Sequence, residues 1–296
     1  MYTVDNAVIM AAGTSSRFAP LSFERPKALI EVRGEVLIER QIRQLLDAGI
    51  TEIYVVVGYK AEQFEYLADK FGVHIIHNTD YLIRNNHSSV YAARHIIKNT
   101  YICSADNYFA HNPFGAEVND SYYAALYAEE QTNEWCMQVD SDGYISQVDV
   151  GGRDAWYMLG HSFWSKKFSS VFLDILDAVY DKPETKNLFW EDVFRNNLSE
   201  LKMQIRKYQL GDIFEFDSLD ELRLFDTSYI ADTRSAVLKE IAEKLYGTEA
   251  DISNIKPRKG KNAEAEGFIF SFRGEQYEYA YSSKRIRRSN GETESY

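Results

Sequence analysis

Short apolar runs and helical stripes alternate through the first hundred residues. Ala7 to Ala12 is a continuous small apolar run, which predicts a buried parallel strand. A loop of glycine, serine and threonine follows. Ile38, Ile42, Leu45 and Leu46 place one apolar stripe on a helix over Leu37 to Ala48, with Gly49 as its C-terminal cap. Glu52 to Val57 reads as a β-branched strand, Ala61 to Phe71 as a second helix and Val73 to His77 as a third strand. A polar loop then enters a helix around Ser88 to Ile97, and Tyr101 to Ser104 is a strand running into Asp106. This alternation predicts an α/β fold: a Rossmann-like mixed, mainly parallel sheet with helices on both faces. Ligands of such sheets bind beyond the carboxyl ends of the strands, where Gly13, Gly58, Asn78 and Asp106 are expected.

From Tyr122 the pattern shortens to strands at 122–127, 135–139, 144–148 and 158–163, followed by helices at 165–180 and 187–196. A strand near Met203 to Gln209, the segment Ile213 to Phe216 and a helix from Ser218 complete this part. A first domain is therefore expected over residues 1–228. Residues 229–284 read as a small α+β appendage: a helix over Asp232 to Leu245, a basic patch from Lys256 to Lys261, and a hairpin around Arg273-Gly274. The polar stretch 285–296 is expected to be a disordered tail.

Composition narrows the class. The chain has 296 residues, 45% of them hydrophobic and 26% charged, enough for a sizeable core. A net charge of -12 repels phosphate backbones and argues against a nucleic-acid partner. Only Cys103 and Cys136 occur, which is no disulfide framework. No apolar run approaches the roughly 20 residues of a membrane span, and no leader-like start is visible, so a cytoplasmic protein without membrane insertion is expected.

The densest chemistry lies in Ala11-Ala12-Gly13-Thr14-Ser15-Ser16-Arg17, continuing to Pro20 and then Pro26-Lys27. Small residues let backbone N–H groups approach phosphate oxygens. Arg17 can fork onto two of them, and Lys27 supplies a point charge on a loop stiffened by proline. Ser104-Ala105-Asp106-Asn107 places a carboxylate at a strand end, where it can hold Mg²⁺ through oxygen. Glu215-Phe216-Asp217-Ser218 offers another, although Asp217 or Ser218 could equally cap the helix that follows.

The first of these stretches resembles the signature of the sugar-phosphate nucleotidyltransferases, with Ser15 standing where that family usually has a second glycine. If that position needs a positive φ, serine there costs about 1 kcal/mol or more. The resemblance implies a nucleotide loop of Ala11, Ala12, Gly13, Thr14, Ser15 and Ala105. It implies Arg17 and Lys27 as catalytic cations and Asp106 and Asp217 as Mg²⁺ ligands. Across residues 4–225, Gly58-Tyr59, Asn85-Asn86 and Trp135 are similar to the bacterial CTP:phosphocholine cytidylyltransferases. That family implies an aromatic box with an acidic neighbour, here Trp135, Phe189, Trp190 and Glu191. A quaternary ammonium has no donor hydrogens and is recognised by aromatic faces and negative charge. Asn86 and Ser89 are the expected contacts to the cytosine edge. The implied reaction joins CTP to a phosphorylated amino alcohol, phosphocholine, and releases pyrophosphate.

Alternatives of the same chemistry are 2-aminoethylphosphonate or a sugar 1-phosphate as acceptor. A catalytically silent nucleotide sensor is an alternative of another class, but such a protein should have lost Arg17, Lys27, Asp106 and Asp217. The appendage, from Asp251 to Tyr281, resembles the first hairpin of bacterial choline kinases, with Lys259 to Asn262 as its phosphate loop. Ala280 stands near the basic residue expected there, and no kinase catalytic loop follows.

Overall fold

The computed structural model describes residues 1–259 and 265–289. The chain forms two compact units, and they interleave along the sequence. The first comprises Met1–Gly13 and Leu37–Glu215, the second Thr14–Val36 and Phe216–Tyr296.

The first unit is built on a nine-stranded mixed sheet. Its parallel core has Asn6–Ala11 in the middle, flanked by Ile53–Val57 and Thr100–Ser104, with His74–His77 outside Ile53–Val57. Beyond Thr100–Ser104 the sheet turns antiparallel through Ala155–Trp164, Thr132–Val139 and Ile145–Gly152. Tyr122–Ala128 also pairs with Ala155–Trp164, and Gln204–Lys207 joins it in parallel. The core strands are apolar at successive positions because both faces are covered. Ala7, Val8 and Ile9 have no solvent exposure, nor do Val55, Val56 and Val57. Val8, Val56 and Ile102 pack with Val90 and Ala93 of the helix His87–Ala93 and with Phe168, Phe172 and Leu176 of Lys166–Val179. Helix Leu37–Asp47 turns the expected stripe of Ile38, Ile42 and Leu45 inward.

The second unit departs from the expected boundary at residue 228. Residues 14–36 and 216–228 group with the C-terminal part, and the reason is a set of long-range bonds that periodicity does not reveal. The Tyr229 hydroxyl donates to the carbonyl of Glu31 at 2.6 Å. Glu24 accepts from the N–H of Ala236 at 2.8 Å and from the Ser235 hydroxyl, at the start of helix Ala236–Lys244. Phe23 and Tyr281 stack at 3.8 Å. The expected hairpin is there as Ala265–Phe272 and Glu275–Ala280, the inner strands of a four-stranded antiparallel sheet. Its outer strands are Ile252–Lys259 and Arg285–Arg288. The stretch from 285 is therefore not a tail at its start: Arg285–Arg288 pairs with Glu275–Ala280, and Arg288 forms an ion pair with Glu275. Four residues rich in arginine read as solvated tail in the sequence, yet Ile286 supplies the alternation of an edge strand. Residues 290–296 lie outside the described residues, as do Gly260, Lys261 and Asn262 of the phosphate loop suggested by the kinase resemblance.

Candidate functional site

Gly13, Gly58, Asn78 and Asp106 follow the carboxyl ends of the four parallel strands, as the alternation predicts. Backbone bonds knit this rim. Tyr59 N–H donates to Ala12 O at 3.0 Å, Asn78 N–H to Val57 O at 2.8 Å and Ala105 N–H to Met10 O at 3.2 Å. Gly58 is required by close approach, since a Cβ there would lie 2.6 Å from the Tyr81 ring. Ala11 and Ala12 are buried at 8% and 4% exposure, so they support the loop rather than line its surface. Gly13 is exposed, lacks a positive φ, and has no atom within 4 Å of where a Cβ would sit. The apoprotein therefore gives no reason for glycine at this position. If a phosphate packs against that backbone, Gly13→Ala should leave the melting temperature unchanged and raise the KM for nucleotide about tenfold or more. Thermal unfolding and steady-state kinetics check the two halves.

Ser15 adopts φ 47°, the left-handed conformation anticipated for the missing glycine. The strain is of order 1 kcal/mol. It turns the chain into the short 3₁₀ segment Ser16–Phe18.

Within the second unit, Arg17 and Lys27 share one carboxylate. Arg17 Nη1 lies 2.6 Å from Asp217 Oδ2, and Lys27 Nζ lies 3.8 Å from Asp217 Oδ1. The two cations differ in setting. The Arg17 side chain is 71% exposed, whereas that of Lys27 is 4% exposed and its ammonium stands 5.7 Å from the centre of the Phe18 ring. Lys27 opens a 3₁₀ turn directly after Pro26, which is what stiffens its loop. Helix Leu219–Phe225 is capped by Ser218, whose hydroxyl accepts from Glu221 N–H at 3.2 Å. Ser218 is thus the cap, and Asp217, the other expected magnesium ligand, pairs with both cations.

Asp106 is partly exposed just beyond Thr100–Ser104. The next residue, Asn107, is buried and donates to Glu215 Oε2 at 3.4 Å, while its own Oδ1 has no hydrogen-bond partner among the described residues. Gln41 anchors the strand end by donating to Ser104 O at 3.0 Å.

A second cluster in the first unit gathers around Glu191. This residue sits in the first turn of helix Trp190–Arg195. Its carboxylate accepts from Asn86 Nδ2 at 3.1 Å and from the Tyr123 hydroxyl at 3.1 Å. Burial pushes the Glu191 carboxyl up to about 7, against the lowering effect of those two hydrogen bonds. Trp135 and Phe189 meet edge to face at 5.9 Å; Trp135 is partly exposed and Phe189 is 42% exposed. The Arg195 guanidinium lies 4.8 Å from the Trp135 ring centre and pairs with Asp192 at 2.9 Å.

Trp190 corrects one expectation. It is 2% exposed and packs with Tyr123, Trp164 and Phe172, so no face is open to a ligand. It is the buried floor of the cluster. Asn86 and Ser89 are also engaged inside the protein: Asn86 Oδ1 accepts from Trp190 N–H at 2.8 Å, and Ser89 Oγ accepts from Asn78 Nδ2 at 3.2 Å. The sequence reading missed Tyr123 and Arg195. Tyr123 was one tyrosine among 21, inside an ordinary strand pattern; only the distance to Glu191 singles it out.

This rim is that of a nucleotide-binding α/β enzyme, and comparison with known proteins makes the class specific. Residues 7–139 match the model of the MobA-like NTP transferase domain. The choline-phosphate cytidylyltransferase of Streptococcus pneumoniae is 34% identical over 217 residues, covering 73% of this chain and 95% of that protein. The 2-aminoethylphosphonate cytidylyltransferase of Lancefieldella rimae is 37% identical over 234 residues, covering 78% and 95%. A solved structure of the CTP:phosphocholine cytidylyltransferase from Streptococcus pneumoniae superposes with a TM-score of 0.73 at 33% identity, over 77% of this chain and 99% of that one. The chain belongs to this family of bacterial cytidylyltransferases, within the nucleotidyltransferases. It is an enzyme whose class of reaction joins a nucleoside triphosphate to a phosphorylated small molecule. Among the described residues, no helix is long and apolar enough to cross a membrane.

Proposed function

We propose that this enzyme transfers the cytidylyl group of CTP to phosphocholine, forming CDP-choline and releasing pyrophosphate. The observation that carries the choice of acceptor is the Glu191 carboxylate, held by Asn86 and Tyr123, with the exposed ring of Phe189 two residues before it. Aromatic faces next to a carboxylate attract a trimethylammonium group without needing donors on the ligand. Both Glu191 oxygens already accept a hydrogen bond, from Asn86 and Tyr123. Each oxygen keeps a lone pair that a primary ammonium could also use, so the second reading, 2-aminoethylphosphonate, stands on the relative that bears that name.

The acceptor phosphate has its second pKa near 6 and is largely dianionic at neutral pH, so no general base is required. One of its oxygens forms a bond to the α-phosphorus as the bond to the leaving pyrophosphate breaks. Catalysis is then positioning and charge neutralisation. Lys27 and Arg17 supply positive charge to phosphate oxygens, and the backbone at Gly13 and Thr14 supplies N–H donors. Among the described residues no three His, Cys, Asp or Glu side chains converge as a metal cage. Asp106 fits the habit of magnesium, which takes one or two carboxylates and completes its shell with substrate phosphates and water. When bound, magnesium neutralises phosphate charge.

Pyrophosphate release with CTP and magnesium, compared across phosphocholine, phosphoethanolamine and 2-aminoethylphosphonate, tests this reading. The largest kcat/KM is expected with phosphocholine. Silence with all three would return the protein to the sensor reading, and a preference for the phosphonate would replace the acceptor.

A further inference from the structure

The amide of Asn86 is engaged by the turn that carries Glu191. Its Oδ1 accepts from Trp190 N–H at 2.8 Å, and its Nδ2 donates to Glu191 Oε2 at 3.1 Å. Asn86 is itself braced, since Asn85 Oδ1 accepts from Asn86 N–H at 2.8 Å and Asn85 N–H donates to Lys186 O at 2.8 Å. The other Glu191 oxygen takes the Tyr123 hydroxyl at 3.1 Å, and the Tyr123 ring stacks on Trp190 at 5.4 Å. One planar amide thus meets a backbone donor and a carboxylate together, which an ionised aspartate cannot do.

We propose that Asn86 and Tyr123 are positioning residues that fix the Glu191 carboxylate against the cationic end of the acceptor, and that the Asn86 side chain does not read the base. The inference rests on the proposed transfer to phosphocholine. The ionisable groups near Glu191 are Tyr123, Asp192, which pairs with Arg195, and Glu215, which acts on Tyr123. None of them replaces the hydrogen bond from Asn86.

Asn86→Asp is the decisive variant. It keeps an acceptor for Trp190 N–H but sets a carboxylate against Glu191, so the two must share a proton. The pH at which kcat/KM for phosphocholine is half-maximal should rise by about one unit or more, while the KM for CTP changes less than about threefold. Tyr123→Phe removes the other donor and should move the midpoint the same way by less, which keeps the idea testable if Asn86→Asp folds poorly. An unmoved midpoint in both variants overturns the proposal. So does a rise in the KM for CTP with phosphocholine kinetics unchanged, the signature of a base-reading asparagine. Glu191→Gln separates the two levels. If it weakens phosphocholine use while the Asn86→Asp midpoint stays put, only the positioning role falls. If it changes nothing, the cation site falls as well.

Discussion

Replacing Lys27 by methionine should lower turnover by about 10²- to 10³-fold, the loss typical when one preorganised charge is removed from a transition state. The KM for CTP should move much less. The argument starts from burial. A lysine side chain only 4% exposed is held charged at a cost in solvation, and the carboxylate of Asp217, 3.8 Å away, offsets that cost. Methionine retains the apolar stem against Phe18 and leaves Asp217 paired with Arg17 at 2.6 Å. Folding should survive, and an unchanged unfolding transition would show it. Arg17 is 71% exposed and paired with Asp217, and its replacement should weaken nucleotide binding more than turnover. Pyrophosphate release at saturating CTP decides the matter. Turnover equal to the parent would make Lys27 a structural lysine, and a matched rise in KM would make it a ground-state binder.

The parallel half of the fold was legible because its strands are buried on both faces and its helices on one. Ala7 to Ala12 and Glu52 to Val57 announce themselves by composition, and the rim residues follow from where those strands stop. The strain at Ser15 was also legible, from a single departure in a motif. What the sequence concealed depends on contacts between distant segments. Residues 14–36 look like a loop of the first domain, yet Glu24 and Glu31 bond to residues 236 and 229. Trp190 and Phe189 are equally aromatic on paper; only packing buries the first and leaves the second 42% exposed. Asn86 and Ser89 carry the right chemistry for a base edge, and tertiary structure gives that chemistry other partners.

The proposed acceptor site rests on Glu191 more than on the aromatics. Aromatic residues are common here and mostly core, so each is weak testimony. A carboxylate that burial raises to about 7, and that two side chains hold in place, is unusual. Its ionised form is disfavoured by burial and would be favoured by a bound cation, as the proposed amine site requires.

Glu191→Gln should therefore raise the KM for phosphocholine by about 10²-fold above neutral pH, since a unit charge about 5 Å from a cation at an effective dielectric near 20 contributes about 3 kcal/mol. Glutamine can keep both contacts, its carbonyl toward Asn86 and its amide toward the oxygen of Tyr123. The loss would then be one of charge and not of shape. The pH dependence has a definite sign. In the parent, the carboxyl titrates near 7, so affinity for the amine rises as pH increases through 7 and is lost as pH falls below it. Bound cation favours the carboxylate and draws the midpoint downward. The variant should keep only the dependence set by the substrate phosphate near pH 6. Stability runs the other way. Because the folded-state value lies above the ordinary 4.5, the folded protein binds the proton more tightly, and its stability declines as pH rises from 4.5 through 7. Glu191→Gln escapes that decline, so its melting temperature should exceed the parent's at about pH 8 and converge with it below pH 4.5. An enzyme that gains stability at high pH while losing affinity for the amine would show that the charge is kept for the ligand. Equal KM values in parent and variant across the whole pH range would remove Glu191 from the acceptor site.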